Sequence, residues 1–224
     1  MTSFLLKIIG IISMLFDHTG DSIVGYFSFL NLIGRISFPI FAFQAVIGYI
    51  NTKNLKKHMI KLLIFACISQ IPFMLFLSTY STNVFYFNIF FTFLLGLAAL
   101  YIFDKCNNKI LGFILVLIIS IFCEFIKVDY GMFGILLMFL FYFFKDNKIK
   151  MSISYILLCI FKYSFDIFNT PTLLTHYLFC MLFTALPIIF ILLYNKKQGP
   201  KLKYFFYIFY PLHLLILYIL NIAL

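Results

Sequence analysis

The sequence predicts an all-α protein, a polytopic transmembrane helical bundle of about nine spans with a short re-entrant or interfacial helix after the first. Three observations carry this. Of 224 residues, 64% are hydrophobic and 11% charged, with a mean hydropathy of +1.09, which is more apolar surface than a soluble domain of this length can bury. Apolar segments of roughly 15 to 20 residues recur along the chain, long enough to cross about 30 Å of hydrocarbon as helices and too continuous for the alternation of barrel strands. The lysines fall in alternate loops: Lys53, Lys56, Lys57 and Lys61; Lys105 and Lys109; Lys145, Lys148 and Lys150; Lys196, Lys197, Lys201 and Lys203. These are 13 of the 16 lysines, and the intervening turns carry only Lys127, so by the positive-inside rule the lysine loops are cytoplasmic.

The spans follow in order. Segment 4–17 has a single lysine, Lys7, and a charged, histidine-bearing end without a small-residue cleavage site, so it reads as a retained first span and not a signal peptide. Residues 21–32 are apolar but short and contain Gly25, which suits a re-entrant or interfacial helix; a full crossing there would put most of the positive charge outside. Segment 35–51 is the second span, and 60–77 is the third, with Gln70 two residues before a helix-kinking Pro72. In 85–103, Asn88, Thr92 and Gly96 form an i, i+4, i+8 stripe suited to gluing helices together. Segments 110–124, closed by Glu124, and 131–144 come next. In 152–168, Lys162 and Asp166 are spaced to neutralise each other. The last two spans are 176–194 and 204–223. With neither repeat nor linker, residues 1–224 form one domain, its N-terminus cytoplasmic and its C-terminus outside.

Five cysteines, an odd number, lie without C-x-x-C spacing, which gives neither a disulfide framework nor a metal site. A net charge of +10 would suggest nucleic acid in a soluble protein, but here it resides in short inter-span loops, so no nucleic-acid partner is expected. The expected partner is the lipid bilayer.

The chemistry concentrates between Met14 and Ala45, where Asp17, His18, Asp21 and Arg35 sit among apolar residues. An ionised group at the bilayer centre costs about 2.5 to 3.5 kcal/mol on insertion scales, so this grouping needs mutual pairing or a reaction to justify it. Asp17 shares a helix face with Ser13 and Asp21, and His18 points about 100° away. A neighbouring carboxylate can orient an imidazole as a general base; the alternative is a helix end reaching interfacial water. Arg35, the one arginine, suits an ion pair with Asp17 or Asp21, or a clamp on an anionic ligand that needs its planar fork. In the last span Tyr210, Pro211 and His213 place an imidazole deep in a proline-interrupted helix. His58 and His176 read as surface residues.

Together these motifs resemble the TraX family of membrane acetyltransferases, associated with N-terminal acetylation of F-type pilin. The resemblance runs along nearly the whole chain: DHTGD at 17–21, IGRISFPIFAFQ at 33–44, ISQIPF at 68–73, FFTFLLGL at 90–97, DYGMFGILL at 129–137 and YPLHLLIL at 210–217. The YPLH element also resembles that of the broader transmembrane acyltransferases. The resemblance implies acetyl-CoA as acyl donor, no metal, and a multi-pass location in the inner membrane of a bacterium. It implies catalytic roles for Asp17, His18, Arg35 and His213, and substrate contacts from Asp21, Gln44, Gln70, Asn88, Glu124, Tyr130 and Tyr210. The basic loops, with Lys53, Lys56, Lys57, Lys201 and Lys203, suit the phosphates of the donor. His18, with a carboxylate beside it in sequence, is the expected base and His213 is expected to act as a positioner; Arg35, Tyr210 or Gln70 would meet the oxyanion. The expected acceptor is the α-amine of a pilin or other exported peptide. A hydroxyl of an envelope lipid or glycan is the runner-up, and a small proton-coupled transporter or a membrane scaffold is the alternative from another class.

The orientation is tested by cysteine labelling in a background without native cysteines. An impermeant reagent added from outside should modify a cysteine placed at Ser81 and spare one at Asn107; the opposite pattern reverses the orientation.

Overall fold

A computed structural model describes residues 1–25, 28–200 and 202–224. Helix α1, Ser3–Thr19, is capped by the Thr2 hydroxyl, which accepts from the Leu5 amide, and runs on through a π-helical turn, Gly20–Val24. Gly25, at φ +115°, ends it in a backbone region that side-chain-bearing residues avoid. Helix α2, Phe29–Gly34, starts from a capping box made by Ser28 and Asn31. Arg35 and Ile36 keep helical dihedrals into α3, Ser37–Asn51. Of the helix expected over 21–32, Tyr26 and Phe27 lie outside the described residues, and the described residues do not form a separate element: the first finish one arm of a helical hairpin and the last begin the other. The register of the later loops is unaffected.

Asparagine caps begin four of the following helices. Asn54, Asn88, Asn108 and Asn147 each accept a backbone N–H at 2.9–3.1 Å, opening α4 (Leu55–Leu77), α5 (Ile89–Lys105), α6 (Lys109–Phe125) and α8 (Lys148–Asn169). Between the last two lies α7, Gly131–Phe143, whose N-terminal Met132 amide is received by the Glu124 carboxylate at 2.9 Å. After a 3₁₀ turn at Pro171–Leu173, α9 (Leu174–Ala185) and α10 (Pro187–Leu192) together form one crossing. The chain closes with α11, Lys203–Ala223, with Pro211 inside it.

Among the described residues, nine helical units thus stand where about nine spans are expected. Six of the described segments are long and apolar enough to cross a membrane by length and composition: Ser3–Val24, Phe29–Asn51, Leu55–Leu77, Lys148–Asn169, Pro171–Leu192 and Tyr204–Ala223. Helices α5 and α6 have 17 residues each and α7 has 13. The shortest is the most enclosed: α7 packs against α3, α5, α6 and α8, burying Ile135, Leu137, Met138, Phe139 and Phe141. Small residues permit this. Gly96 lies against Met138, and Gly134 against Thr92 and Phe38. Outward-facing Phe125 and Phe168 are more than 80% exposed, the pattern of a surface solvated by lipid.

The loops tie together at two ends. At the lysine end, Asn195 donates to the Met1 carbonyl and Ser3 to that of Lys197, both at 2.9 Å, while the Tyr49 and Tyr142 hydroxyls each donate to Asp104 at 2.5 Å. At the opposite end, Asn221 donates to the Ser22 carbonyl. There a parallel bridge joins Phe87 to Val128, with Asp129 donating to Phe87 at 2.8 Å. Lys162 and Asp166 form the expected pair at 2.8 Å, the one ion pair found among the described residues.

The hairpin depends on Gly34, where a Cβ would lie 2.2 Å from that of Asp17. Overpacking costs about 1–3 kcal/mol, so Gly34→Ala should lower the melting temperature of the detergent-purified protein by roughly 5–10 °C. At Gly48, whose nearest neighbour would be 3.5 Å away, the same change should have little effect.

Candidate functional site

A partly open cavity of about 500 Å³ runs between α1, α3, α4, α5 and α11. Lys7, His58, Gln198 and Pro200 line the end nearest the lysine loops, and Phe4, Phe41, Phe90 and Phe93 line its apolar wall. Asp17, His18, Ser37, Asp129, Tyr130 and Tyr210 line the deep end.

Two histidines far apart in sequence meet there. His18 Nδ1 lies 2.7 Å from His213 Nε2, with the rings nearly parallel at 11°. His213 Nδ1 is 2.8 Å from the Phe209 carbonyl, which can only accept, so in the neutral pair that nitrogen carries the proton. Nε2 of His213 is then an acceptor, and Nδ1–H of His18 must be its donor. Nε2 of His18 is left with a free lone pair on a residue that lines the cavity. The turn of helix between Phe209 and His213 supplies the anchor, because their spacing brings the carbonyl under the ring.

Asn31 organises the carboxylates. Its amide nitrogen donates to the Asp17 carbonyl at 3.0 Å and to Asp21 Oδ1 at 2.7 Å, and approaches Asp17 Oδ1 at 3.4 Å. Its oxygen receives the Ser28 amide and hydroxyl at 3.1 and 2.7 Å. The direct ion pair expected between Arg35 and Asp17 or Asp21 is therefore replaced by a neutral amide. Arg35 instead lies outside the cavity lining, with Asp17, Tyr130, Tyr163 and Cys180 as its electrostatic neighbours and its Nε without a hydrogen bond. Nor does Asp17 orient His18, whose ring is held by His213.

The remaining expected residues divide. Gln44, Tyr130 and Tyr210 line the cavity. Gln70 and Asn88 do not: Asn88 donates to Gln70 and to the Ala66 carbonyl at 2.8 and 2.7 Å, and Gln70 donates to that of Tyr86 at 2.7 Å, so both are spent joining α4 to α5. Glu124 is spent on the start of α7. Lys53, Lys56 and Lys57 are exposed and off the lining, and Lys7 and His58 stand there instead. Lys201 and the side chain of Lys203 lie outside the described residues.

Three lining or supporting residues escape a sequence reading: Asn31, Asp129 and His58. Asp129 alone left a signal, an acid beside a glycine in a short loop between apolar runs. The structure fixes it through Phe87, through a hydrogen bond from the Thr92 hydroxyl to its carbonyl, and through left-handed backbone at Tyr130 and Gly131, φ +61° and +39°. Tyr130 is held by stacking on Phe38 at 3.7 Å.

The family model described as TraX protein matches residues 3–221. The chain belongs to the TraX family. A relative in Dichelobacter nodosus, "Probable fimbrial assembly protein FimC, serogroup H1", is 26% identical over 234 aligned positions, covering 96% of this chain and 94% of the relative. No solved structure matches significantly. In this TraX protein the matched region takes in the hairpin, the cavity and both histidines.

Asn31 is 2% exposed, and unanswered buried polar groups cost about 1–3 kcal/mol each. Asn31→Ala should destabilise the protein by at least that amount in a thermal melt. Asn221→Ala, at the exposed end of α11, should cost less; equal losses would show that Asn31 is not the hub of the hairpin.

Proposed function

We propose that this TraX protein is a membrane-embedded acetyltransferase that moves an acetyl group from acetyl-CoA to an acceptor amine. The observation that carries the reading is the hydrogen-bonded chain Phe209–His213–His18, which ends in the second ring nitrogen of a residue that lines the cavity.

The donor enters from the cytoplasmic, lysine-bearing end, where Lys7 and His58 lie on the lining and the basic loops surround it. Its thioester reaches the deep end. There the amine nitrogen attacks the carbonyl carbon while Nε2 of His18 takes the proton, and His213 passes polarisation on to the Phe209 carbonyl. The C–S bond breaks, and the sulfur leaves as the thiol once it receives that proton. Tyr210, on the lining, is placed to donate to the developing oxyanion. The phenylalanine wall keeps water from competing for the acetyl group.

Asp129 supports an amine over a hydroxyl. A carboxylate opening into a membrane-embedded cavity without an ion-pair partner among the described residues is complementary to an ammonium group. The fimbrial assembly description of the Dichelobacter relative supports a pilin or other exported peptide as the acceptor. The lysine distribution supports a bacterial inner-membrane location with the N-terminus in the cytoplasm.

Purified protein in detergent should consume acetyl-CoA, and no thioester turnover with amine, hydroxyl or water as acceptor overturns the reading. Losing a general base costs about 10²–10⁴ in rate, so His18→Ala should lower kcat by that factor while acetyl-CoA still binds. His213→Ala should cause a smaller loss, shared between KM and kcat. Near-normal turnover in His18→Ala with none in a folded His213→Ala would move the base to α11.

A further inference from the structure

We infer that Gln44 recognises an amide of the acyl donor's arm, which makes the cavity selective for thioesters of the pantetheine class; this rests on the transferase reading above. Gln44 is 7% exposed and lines the cavity from α3. The Ser3 hydroxyl donates to its Oε1 at 2.5 Å, and its Nε2 has no partner. Exchanging the amide's oxygen and nitrogen does not remove the anomaly: Nε2 would then donate to Ser3 and Oε1 would be stranded. Either way half of a carboxamide is neither solvated nor bonded, which costs about 1–3 kcal/mol.

The other buried amides of the bundle are answered. Asn31 is fully engaged with Asp17, Asp21 and Ser28, and Asn88 and Gln70 satisfy each other and two carbonyls. Among the described residues, two further buried polar atoms lack partners, Arg35 Nε and Ser69 Oγ, and neither residue lines the cavity. The stranded group on the lining is therefore particular to this passage.

Its position suits a donor arm. Gln44 is seven residues along α3 from Ser37, about 10 Å towards the lysine end by helical rise, so it lies beside whatever connects a thioester at His18 to an anionic head group at the mouth. A pantetheine arm carries two secondary amides along that stretch, and a carboxamide is the natural complement of an amide, donating to its carbonyl. Ser3 fixes the oxygen of the carboxamide, which leaves its nitrogen as the donor a ligand would meet. A phenylalanine-walled passage offers such an amide few alternatives, so a thioester without amides would leave Gln44 stranded.

The test uses Gln44→Met, which keeps the length of the side chain and removes both amide atoms. Pantetheine alone should bind the wild-type protein at least about 10-fold more tightly than the variant. The variant's KM for acetyl-CoA should rise by a similar factor with kcat little changed, while ethyl thioacetate, which has no amide, should be turned over equally by both. Unchanged pantetheine affinity overturns the inference, as does an equal loss with ethyl thioacetate, which would mark Gln44 as structural. Gln44-dependent pantetheine binding in a protein that consumes no thioester would uphold the recognition and sink the transferase reading, so the two fail separately.

Discussion

The carboxamide of Asn31 holds the first two helical arms against each other, and the site depends on that contact. It reaches the backbone of Asp17 and the carboxylate of Asp21 from the opposite arm while its oxygen closes the cap of its own helix. In hydrocarbon, two carboxylates and a helix start would each need an answer. One side chain with two donors and one acceptor supplies it, and the close approach it requires explains the absence of a side chain at Gly34. Release of this contact would free the end of α1, and with it the ring of His18.

With α1 fixed, α11 completes the arrangement. The histidine pair is a contact between the last turn of α1 and the middle of α11, not a feature of either helix: His213 is set by its own backbone through Phe209, and His18 is set by His213. A proton held in this directional chain gives the outermost nitrogen a defined role, which a solvated histidine would lack. The left-handed turn at Tyr130 brings Asp129 to the same end from a third direction.

Two classes of buried polar group coexist in the bundle, and they are distinguished by satisfaction. Asn88 with Gln70, and Tyr163 with Thr184 at 2.7 Å, close upon themselves as helix glue. Gln44 and the outer nitrogen of His18 do not, and both residues line the cavity, whereas the unpartnered Arg35 Nε and Ser69 Oγ belong to residues off it. Among the described residues, Gln44 is the buried amide left with an unanswered atom, and it stands on the cavity.

Much of this was legible in the sequence because it is local. Hydropathy placed the helical units in their order, the Lys162–Asp166 spacing produced its ion pair, and the matching stretches placed the chain in the TraX family. Helical periodicity and loop charge act over a few residues, so they survive without knowledge of packing. What the tertiary structure decided is which distant groups meet. It paired His18 with His213 across the bundle instead of with adjacent Asp17, and gave Asp21 to Asn31 instead of Arg35. It put Lys7 and His58 on the cavity while Lys53, Lys56 and Lys57 stayed on the surface. Apolar helices in lipid carry little sequence information about their neighbours, since lipid and leucine are alike to them; partners are set by where small residues let backbones approach and by which polar atoms then fall within hydrogen-bond reach.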